Sequence, residues 1–251
     1  MSERRFLDWP ACLNARDVGG YATLDGRHTR WGALVRADDL CRLTPAGRAA
    51  VVGYGVRTIV DVRFPAEVVR RPHPFASGAE GVAYRNIPVT AGRDTADDEA
   101  ISARFAGART REEANALELD VNRPGFAGIL AAVAAAPEGA VVVHCGSGKD
   151  RTGIAIALAL SLVGLPDDLI AADYALSTAR LADSYEREIA ARGVDDPDAL
   201  ARLRQQLSSP PETMLTTLAH LREQHGGAEA YLIAGGLTRP EIARLRRRLL
   251  A

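Results

Sequence analysis

The sequence predicts an α/β fold in which a central, mostly parallel and twisted sheet of four to five strands is flanked by helices. Short runs rich in β-branched residues alternate with helical patterns up to residue 143, which is typical of a parallel sheet. Beyond residue 154 only helical patterns follow, so the C-terminal half is predicted to be helical. The strand-like runs lie at residues 33–37, 56–62, 84–89 and 140–143.

No linker, repeat or low-complexity tract interrupts the chain, so residues 1–251 are predicted to form a single domain. One stretch differs from the rest, because residues 92–122 carry many charges and only thin apolar faces. We interpret this stretch as a charged helical insert that rests on the domain like a lid. A pair of solvated helices without a functional role is the alternative interpretation.

Local signals place the elements of the first half. Thr44 followed by Pro45 is typical of an N-cap and a first helical residue, and predicts a short helix up to about Tyr54. A second short helix begins at Pro65. These helices alternate with the strands predicted at residues 33–37, 56–62 and 84–89.

In the second half, an alanine-rich helix at residues 126–136 leads into the strand at 140–143. A strongly apolar helix follows at 154–165. Prolines and acidic residues at helix starts, and glycines at helix ends, delimit the remaining helices. They are predicted at residues 166–181, at 195–207, at 210–226 and, after a Thr238–Glu241 capping box, to the end of the chain.

The composition is that of an ordinary globular protein of 251 residues, with 47% hydrophobic and 25% charged residues. The formal net charge of −1 gives no support for nucleic acid as a partner. The longest apolar run, residues 154–165, is shorter than the about 20 residues of a bilayer span, so no integral membrane segment is expected.

Three widely spaced cysteines do not resemble a disulfide framework, and the N-terminus has no signal-peptide-like stretch. Both features favour a cytoplasmic location, and secretion without a signal peptide stays open. The five histidines have no ligand spacing with each other or with the cysteines. We therefore expect neither a metal nor another cofactor.

The segment His144-Cys145-Gly146-Ser147-Gly148-Lys149-Asp150-Arg151-Thr152-Gly153 joins a buried strand to an apolar helix. A strand, a glycine-bearing loop and a helix N-terminus together form an anion cradle, because loop N–H groups turn inward and the helix end contributes about +0.5 of a charge. Here a thiol lies in the floor of the predicted cradle.

The side chains of this loop suit phosphoryl transfer through a thiol. A helix N-terminus and cationic neighbours favour the thiolate form of a cysteine, which is the nucleophilic form. Arg151 offers a planar, two-pronged donor for phosphoryl oxygens, and we expect the Thr152 hydroxyl to donate to the sulfur when it leaves. The expected reaction is thiolate attack on phosphorus with loss of an alcohol, followed by hydrolysis of the phosphocysteine.

This loop resembles the signature of the cysteine-dependent protein tyrosine phosphatases: His-Cys, five residues, Arg, then Ser or Thr. The ending Gly-Lys-Asp-Arg-Thr-Gly is similar to that of the atypical bacterial branch, which has dual-specificity and phosphoinositide phosphatase activity. Three further segments resemble motifs of that branch: Asn14-Ala15-Arg16-Asp17-Val18-Gly19-Gly20, Arg36-Ala37-Asp38 and Val60-Asp61-Val62-Arg63.

The resemblance implies a role for each loop residue. Cys145 would be the nucleophile, Arg151 would bind the phosphate and the transition state, and Thr152 would assist departure of the thiolate. His144 would orient the loop through hydrogen bonds. The phosphate cradle would be formed by Gly146, Ser147, Gly148, Lys149, Asp150 and Arg151.

The general acid is less directly indicated, because the chain has no Trp-Pro-Asp sequence. By resemblance to the atypical branch Asp150 is the first candidate, and Asp61, at the end of a neighbouring strand, is the second. The third candidate lies on the charged insert and is Asp94, Asp97 or Asp98.

Two further points stay open at this level. Lys149 either favours a multiply phosphorylated inositol headgroup or only supports the thiolate. Asn14, Arg16 and Asp17 either brace the loop from outside or simply form a turn.

The expected substrates are phosphotyrosine esters, with phosphoserine, phosphothreonine and phosphoinositides as further candidates. A nucleotide-binding P-loop is excluded, because Val143 and Asp150 stand where that motif needs Gly and Ser or Thr. A sulfurtransferase or arsenate reductase, which also uses a cysteine in an anion loop, is an alternative, although the arginine spacing and Thr152 favour a phosphatase. A noncatalytic module that binds a phosphorylated ligand is a second alternative, but binding alone does not need Cys145.

Overall fold

The computed structural model describes residues 3–92 and 98–251, so Asp94 and Asp97 lie outside the described residues. Within these ranges the chain forms a five-stranded sheet of order β1-β2-β5-β3-β4. The strands are β1 (Arg16–Asp17), β2 (Leu34–Ala37), β3 (Val56–Asp61), β4 (Ala83–Asn86) and β5 (Ala140–His144). All pairs are parallel except β1–β2, which confirms the predicted α/β class.

Helices surround this sheet and make up the C-terminal half. The first five are α1 (Pro45–Gly53), α2 (Pro65–Arg70), α3 (Asp98–Gly107), α4 (Arg111–Val121) and α5 (Arg123–Ala135). The others are α6 (Asp150–Leu162), α7 (Asp167–Arg192), α8 (Pro197–Leu207), α9 (Pro211–His225), α10 (Ala228–Ala234) and α11 (Arg239–Leu249). None of the helices in the described ranges has the length and apolar character needed to cross a membrane.

The central strand β5 is buried along its whole length, because both faces of the sheet are covered. Val141 and Val143 pack into the larger core, with Phe126 of α5. Val142 points to the opposite face and packs into the smaller core, with Val51 of α1. β5 is therefore fixed by packing on both faces, and this packing also fixes the position of the residues that follow it, from Cys145 onwards.

Several helix and strand ends differ from the predictions, and three of these differences have a clear physical reason. β4 ends at Asn86 instead of residue 89, since Pro88 has no N–H with which to continue the ladder. α6 begins at Asp150, four residues before the apolar pattern that begins at residue 154. The first turn of this helix faces a cavity and not the core, so its side chains need not be apolar. α7 continues past Leu181 and ends where Gly193 adopts a left-handed φ of 58°.

The charged stretch at 92–122 contributes two helices, α3 and α4, that differ in packing. α3 has no buried residue, whereas α4 buries Asn115 and Leu119. Asn115 donates to Thr217 of α9, and the Tyr231 hydroxyl of α10 donates to the Leu119 carbonyl. Helix α4 is thus part of the packed helical layer, held by buried contacts with α9 and α10.

Candidate active site

The segment from Cys145 to Lys149, called here the Cys145 loop, turns the chain from β5 into α6. Gly148 makes this turn possible, because its φ of 64° is left-handed and a Cβ there would lie 2.3 Å from the carbonyl oxygen of Ala37. The loop therefore packs directly against the carboxyl end of β2. Lys149 is the N-cap residue of α6, so Asp150 and Arg151 occupy the first turn of that helix.

The Cys145 thiol lies at the bottom of a cavity of about 230 Å³, called here the Cys145 cavity. Its side chain is buried, and its sulfur accepts a hydrogen bond of 3.3 Å from the N–H of Gly148. Ser147, Asp150 and Arg151 line the same cavity. The predicted nucleophile, acid and phosphate-binding arginine thus share one cavity.

Arg151 is held by a residue that the sequence analysis did not single out, Glu67 in the first turn of α2. Its NH1 and NH2 groups donate to the two carboxylate oxygens at 2.5 and 3.1 Å, and the ring of Phe64 lies 4.7 Å from the guanidinium. Burial lowers the pKa of Arg151, but the nearby Cys145 sulfur and Glu67 carboxylate outweigh burial and raise the pKa above its ordinary value. The guanidinium therefore stays charged. The position of Glu67 just beyond the carboxyl end of β3 was the available signal.

The Glu67 carboxylate is ionised in this pair. Burial raises its pKa, but the hydrogen bonds and charge of Arg151 outweigh burial and lower it. Glu67 uses only NH1 and one N–H of NH2. The Nε–H edge of the Arg151 guanidinium is not engaged by Glu67, and it offers a second fork for an anion.

Of the candidate acids, Asp150 is the one that lines the Cys145 cavity. One carboxylate oxygen accepts a 2.7 Å hydrogen bond from the Tyr174 hydroxyl. The other lies 3.4 Å from Arg111 and 3.7 Å from Lys149. Glu118, which the sequence analysis did not name, is a second carboxylate in the cavity wall.

Asp61 is placed differently. It is fully buried and forms a 2.7 Å ion pair with Arg63, and it also accepts a hydrogen bond from Tyr84. Burial raises its pKa, but the His144 ring and the Arg63 guanidinium lower it to about 2. Asp61 is therefore ionised and is not among the residues that line the Cys145 cavity. Asp98, at the start of α3, does not line it either.

Lys149 is not among the residues that line the Cys145 cavity. Its ammonium group donates to the carbonyls of Gln206, Leu207 and Ser208 at 2.9, 2.9 and 3.0 Å. These are the acceptors left over at the end of α8, so Lys149 caps that helix. Burial lowers its pKa. Neither sequence interpretation of Lys149 foresaw this contact, since nothing in the sequence places α8 beside the loop.

The Asn14 side chain holds the Cys145 loop from outside, and Arg16 supports Asn14 in turn. The Asn14 amide donates to the carbonyl of Ser147 at 3.0 Å and to that of Gly148 at 3.4 Å. Arg16 in turn donates to the Asn14 side-chain oxygen at 2.5 Å. The loop carbonyls are thereby drawn outward, which leaves its N–H groups free to face the cavity.

A buried carboxylate, Asp173 of α7, organises this bracing. It accepts from Arg16 at 3.2 Å and from Arg36 at 2.7 Å, and Arg36 also donates to the carbonyl of Gly148 at 2.7 Å. Burial raises the pKa of Asp173, but the two arginines outweigh burial and lower it. The sequence signal was a charged residue on the apolar face of a helix, between Ile170 and Tyr174.

The hydrogen bonds of the Asp17 carboxylate go to residues outside the Cys145 loop. The carboxylate accepts hydrogen bonds from the N–H groups of Gly19 and Gly32, at 2.6 and 2.7 Å, and from the Tyr54 hydroxyl. These bonds close the N-terminal turn, in line with the turn interpretation.

His144 and Thr152 are both fully buried beside the loop. The His144 Nδ1 atom lies 3.3 Å from the carbonyl oxygen of Cys145, to which it donates. Burial lowers the pKa of His144, although the nearby Asp61 carboxylate acts in the opposite direction. The Thr152 hydroxyl has no hydrogen-bond partner among the described residues, an arrangement that leaves its proton available.

The fold brings two histidines together that sequence spacing did not connect. His220 and His225 of α9 both place Nε2 on the same oxygen of Asp120, at 2.8 and 2.9 Å. Arg123 lies 2.9 Å from Nδ1 of His225 and has only donors, so that Nδ1 accepts and the proton lies on Nε2. This tautomer suits the hydrogen bond to Asp120 and not a metal at the same nitrogen.

Comparisons with known proteins cover nearly the whole chain. A family model described as "Tyrosine phosphatase family" matches residues 7–251. A tyrosine-protein phosphatase of Nostoc commune is 34% identical over 221 residues, which cover 86% of this chain and 74% of that protein. The triple specificity protein phosphatase PtpB of Mycobacterium tuberculosis is 28% identical over 280 aligned residues, which cover 96% of this chain and 98% of that protein.

Proposed function

The chain belongs to the tyrosine phosphatase family and is a hydrolase of that family, and from this premise we propose that it cleaves phosphotyrosine esters through a phosphocysteine intermediate on Cys145. The observation that carries the proposal is the shared cavity. Cys145, Asp150 and Arg151 line it together, and the Gly148 N–H donates to the sulfur. A nucleophile, an acid and a cation around one void are what a phosphoryl transfer needs.

In the first step, the Cys145 thiolate attacks phosphorus, the P–S bond forms and the ester P–O bond breaks. Arg151 binds two phosphoryl oxygens through its Nε–H edge, while Glu67 keeps the guanidinium in place from the other side. The N–H groups of the Cys145 loop hold the remaining charge. Asp150 gives its proton to the leaving phenolic oxygen.

In the second step, a water molecule attacks the phosphocysteine and gives its proton to the Asp150 carboxylate. The P–S bond breaks, inorganic phosphate forms, and the sulfur leaves as a thiolate. The Thr152 hydroxyl, which has no protein acceptor in the described part of the chain, donates to that sulfur. Asp150 is then protonated, as the first step requires.

Phosphotyrosine is the substrate that we place first. The Lys149 ammonium, which would favour a multiply phosphorylated headgroup if it faced the ligand, is bound to three carbonyls at the end of α8. The Mycobacterium tuberculosis relative is named a triple specificity phosphatase. We therefore propose to test phosphoserine, phosphothreonine and phosphoinositide substrates beside phosphotyrosine.

We also propose that residues 1–251 act as one catalytic domain, in a reducing, cytoplasmic location. Segments from both halves of the chain contact each other at the site. Asn14 donates to the Ser147 carbonyl of the Cys145 loop, and Arg16 donates to the Asp173 carbonyl of α7. Lys149 of the loop donates to the Gln206 carbonyl at the end of α8. The three cysteines are free thiols, which suits a reducing compartment.

The experiment that tests the function is hydrolysis of p-nitrophenyl phosphate and of a phosphotyrosine peptide in the presence of a metal chelator. We expect turnover by the wild-type chain and none by Cys145→Ser, which keeps the cavity and still binds phosphate. In a quenched reaction, wild-type protein should carry a phosphate on Cys145. Full activity of the serine variant, or dependence of turnover on an added metal, would refute the mechanism.

A further inference from the structure

A second cavity, of about 410 Å³, adjoins the Cys145 cavity. The two share Phe105, Arg111 and Ala114 in their walls, so one ligand can occupy both. Arginines dominate the second cavity: Arg109, Arg111 and Arg202 all line it. We call it the arginine cavity.

The charge of the arginine cavity is positive. Glu112 is the one acidic residue among its described lining residues, and its carboxylate already accepts a hydrogen bond from Thr213. Arg111, at the junction of the two cavities, lies 3.4 Å from Asp150 and donates to the carbonyl of Gln206 at 3.3 Å.

The other two arginines of the cavity are exposed. Arg109 is exposed and forms no ion pair with any residue of the described ranges. Arg202 is exposed as well, and its nearest carboxylate, on Asp196, lies 3.8 Å away and is itself 63% exposed. Exposed pairs of this kind are weak and exchange readily with another anion.

These arginines come from two different walls. Arg109 and Arg111 flank the start of α4, whereas Arg202 comes from α8. Positive charge spread over two walls suits an elongated ligand whose negative charges are also spread. An extended peptide is such a ligand, since successive side chains are about 3.3 Å apart along it. Ala108 and Pro210 add apolar surface for its backbone and side-chain stems.

We propose that the arginine cavity binds acidic side chains next to the phosphotyrosine of a peptide substrate, so that Arg109 and Arg202 set a preference for acidic flanking residues. This inference rests on the proposed function, because it takes phosphotyrosine to occupy the Cys145 cavity. Arg111 joins the two sites, since it contacts both Asp150 and the α8 end that borders the arginine cavity.

The test compares p-nitrophenyl phosphate with three phosphotyrosine peptides whose flanking residues are acidic, neutral or basic. For wild-type protein we expect a kcat/KM about tenfold higher for the acidic than for the neutral peptide, as two weak ion pairs would give. Arg109→Ala and Arg202→Ala should each reduce the ratio of kcat/KM for the acidic peptide to that for p-nitrophenyl phosphate about threefold. Arg202→Glu should shift the preference towards the basic peptide.

A matched control is Arg247→Ala, which removes another exposed arginine, on α11, that lines neither of the two cavities. It should keep the wild-type peptide preference. Equal kcat/KM values for all three wild-type peptides would overturn this inference and leave the proposed function standing, whereas no hydrolysis of any substrate would overturn the proposed function. A loss confined to a phosphoinositide with two phosphates in Arg202→Ala would also overturn the inference, because the cavity would then serve a lipid headgroup.

Discussion

The guanidinium of Arg151 and the carboxylate of Glu67 face each other through two hydrogen bonds of 2.5 and 3.1 Å. The pair connects the first turn of α6 with the first turn of α2, two helices that begin beyond adjacent parallel strands. Because Glu67 uses the NH1–NH2 edge of the fork, it orients the guanidinium without covering its Nε–H edge.

We predict that Glu67→Gln lowers kcat/KM for p-nitrophenyl phosphate about tenfold, which corresponds to about 1.4 kcal/mol. The reason is that a neutral amide holds the Arg151 guanidinium less firmly. Part of the binding free energy of the phosphoryl group is then used to orient the guanidinium. Steady-state kinetics and inhibition by inorganic phosphate measure the effect, with Glu80→Gln, a half-exposed carboxylate paired with Arg48, as the control. Tighter phosphate binding in Glu67→Gln would show instead that Glu67 competes with the substrate.

Asp150 is predicted to be the general acid. A general acid must carry its proton, so the wild-type rate should fall at the basic end of the pH profile, and Asp150→Asn should lack this basic limb. The loss in kcat should be larger for phenyl phosphate than for p-nitrophenyl phosphate, because the poorer leaving group needs the proton more.

Glu118→Gln is the matched comparison for Asp150→Asn, since Glu118 lines the same cavity. It should retain the basic limb. If Glu118→Gln loses that limb and Asp150→Asn keeps it, the acid is Glu118 and the role of Asp150 is confined to its contacts with Tyr174 and Arg111.

Asp173 is predicted to be required for the stability of the folded chain. Asp173→Asn leaves the buried guanidinium groups of Arg16 and Arg36 without the negative charge that pairs with them, which should lower the free energy of unfolding by about 3–5 kcal/mol. Tyr21→Phe removes only one hydrogen bond to the same carboxylate and should cost about 1 kcal/mol. Urea unfolding measures both, and equal effects of the two variants would contradict this account.

The same carboxylate should make stability pH-dependent in one direction. The pKa of Asp173 is lower in the folded chain than the about 3.9 of an unfolded aspartate, so its contribution is complete above that value and is lost as the pH falls towards the folded pKa. The difference in unfolding free energy between pH 6 and pH 3 should therefore be smaller in Asp173→Asn than in the wild type. An unchanged difference would mean that Asp173 does not titrate with folding.

Lys149, the only lysine in the chain, is predicted to hold α8 against the Cys145 loop. Lys149→Met should speed amide hydrogen exchange in α8 (Pro197–Leu207) and leave α9 unchanged, because the last carbonyls of α8 lose their donor. Arg204→Ala, which removes an exposed pair with Glu186 from the same helix, is the control and should change exchange little. If Lys149→Met weakens phosphate binding and leaves amide hydrogen exchange in α8 unchanged, the Lys149 ammonium contacts the bound phosphate instead of α8.

Much of the fold was predictable because its signals are local. Thr44 and Pro45 begin α1, Thr238 begins α11, and the buried run of β5 ends at His144, all close to the predicted positions. The helix α10 and the two-residue strand β1 were missed, since both are too short to show a period.

The sequence by itself determined which residues form the loop between β5 and α6, since Cys145, Gly148 and Arg151 lie within one strand–loop–helix unit. Residues that lie close in sequence within one strand–loop–helix unit keep the same spatial arrangement, however that unit packs against the rest of the chain. The tertiary structure alone decided their partners: Glu67 reaches Arg151 across 84 residues, and Asp173 reaches Arg36 across 137. Such contacts depend on how whole elements pack, and no local pattern of side chains encodes the distance between two helices.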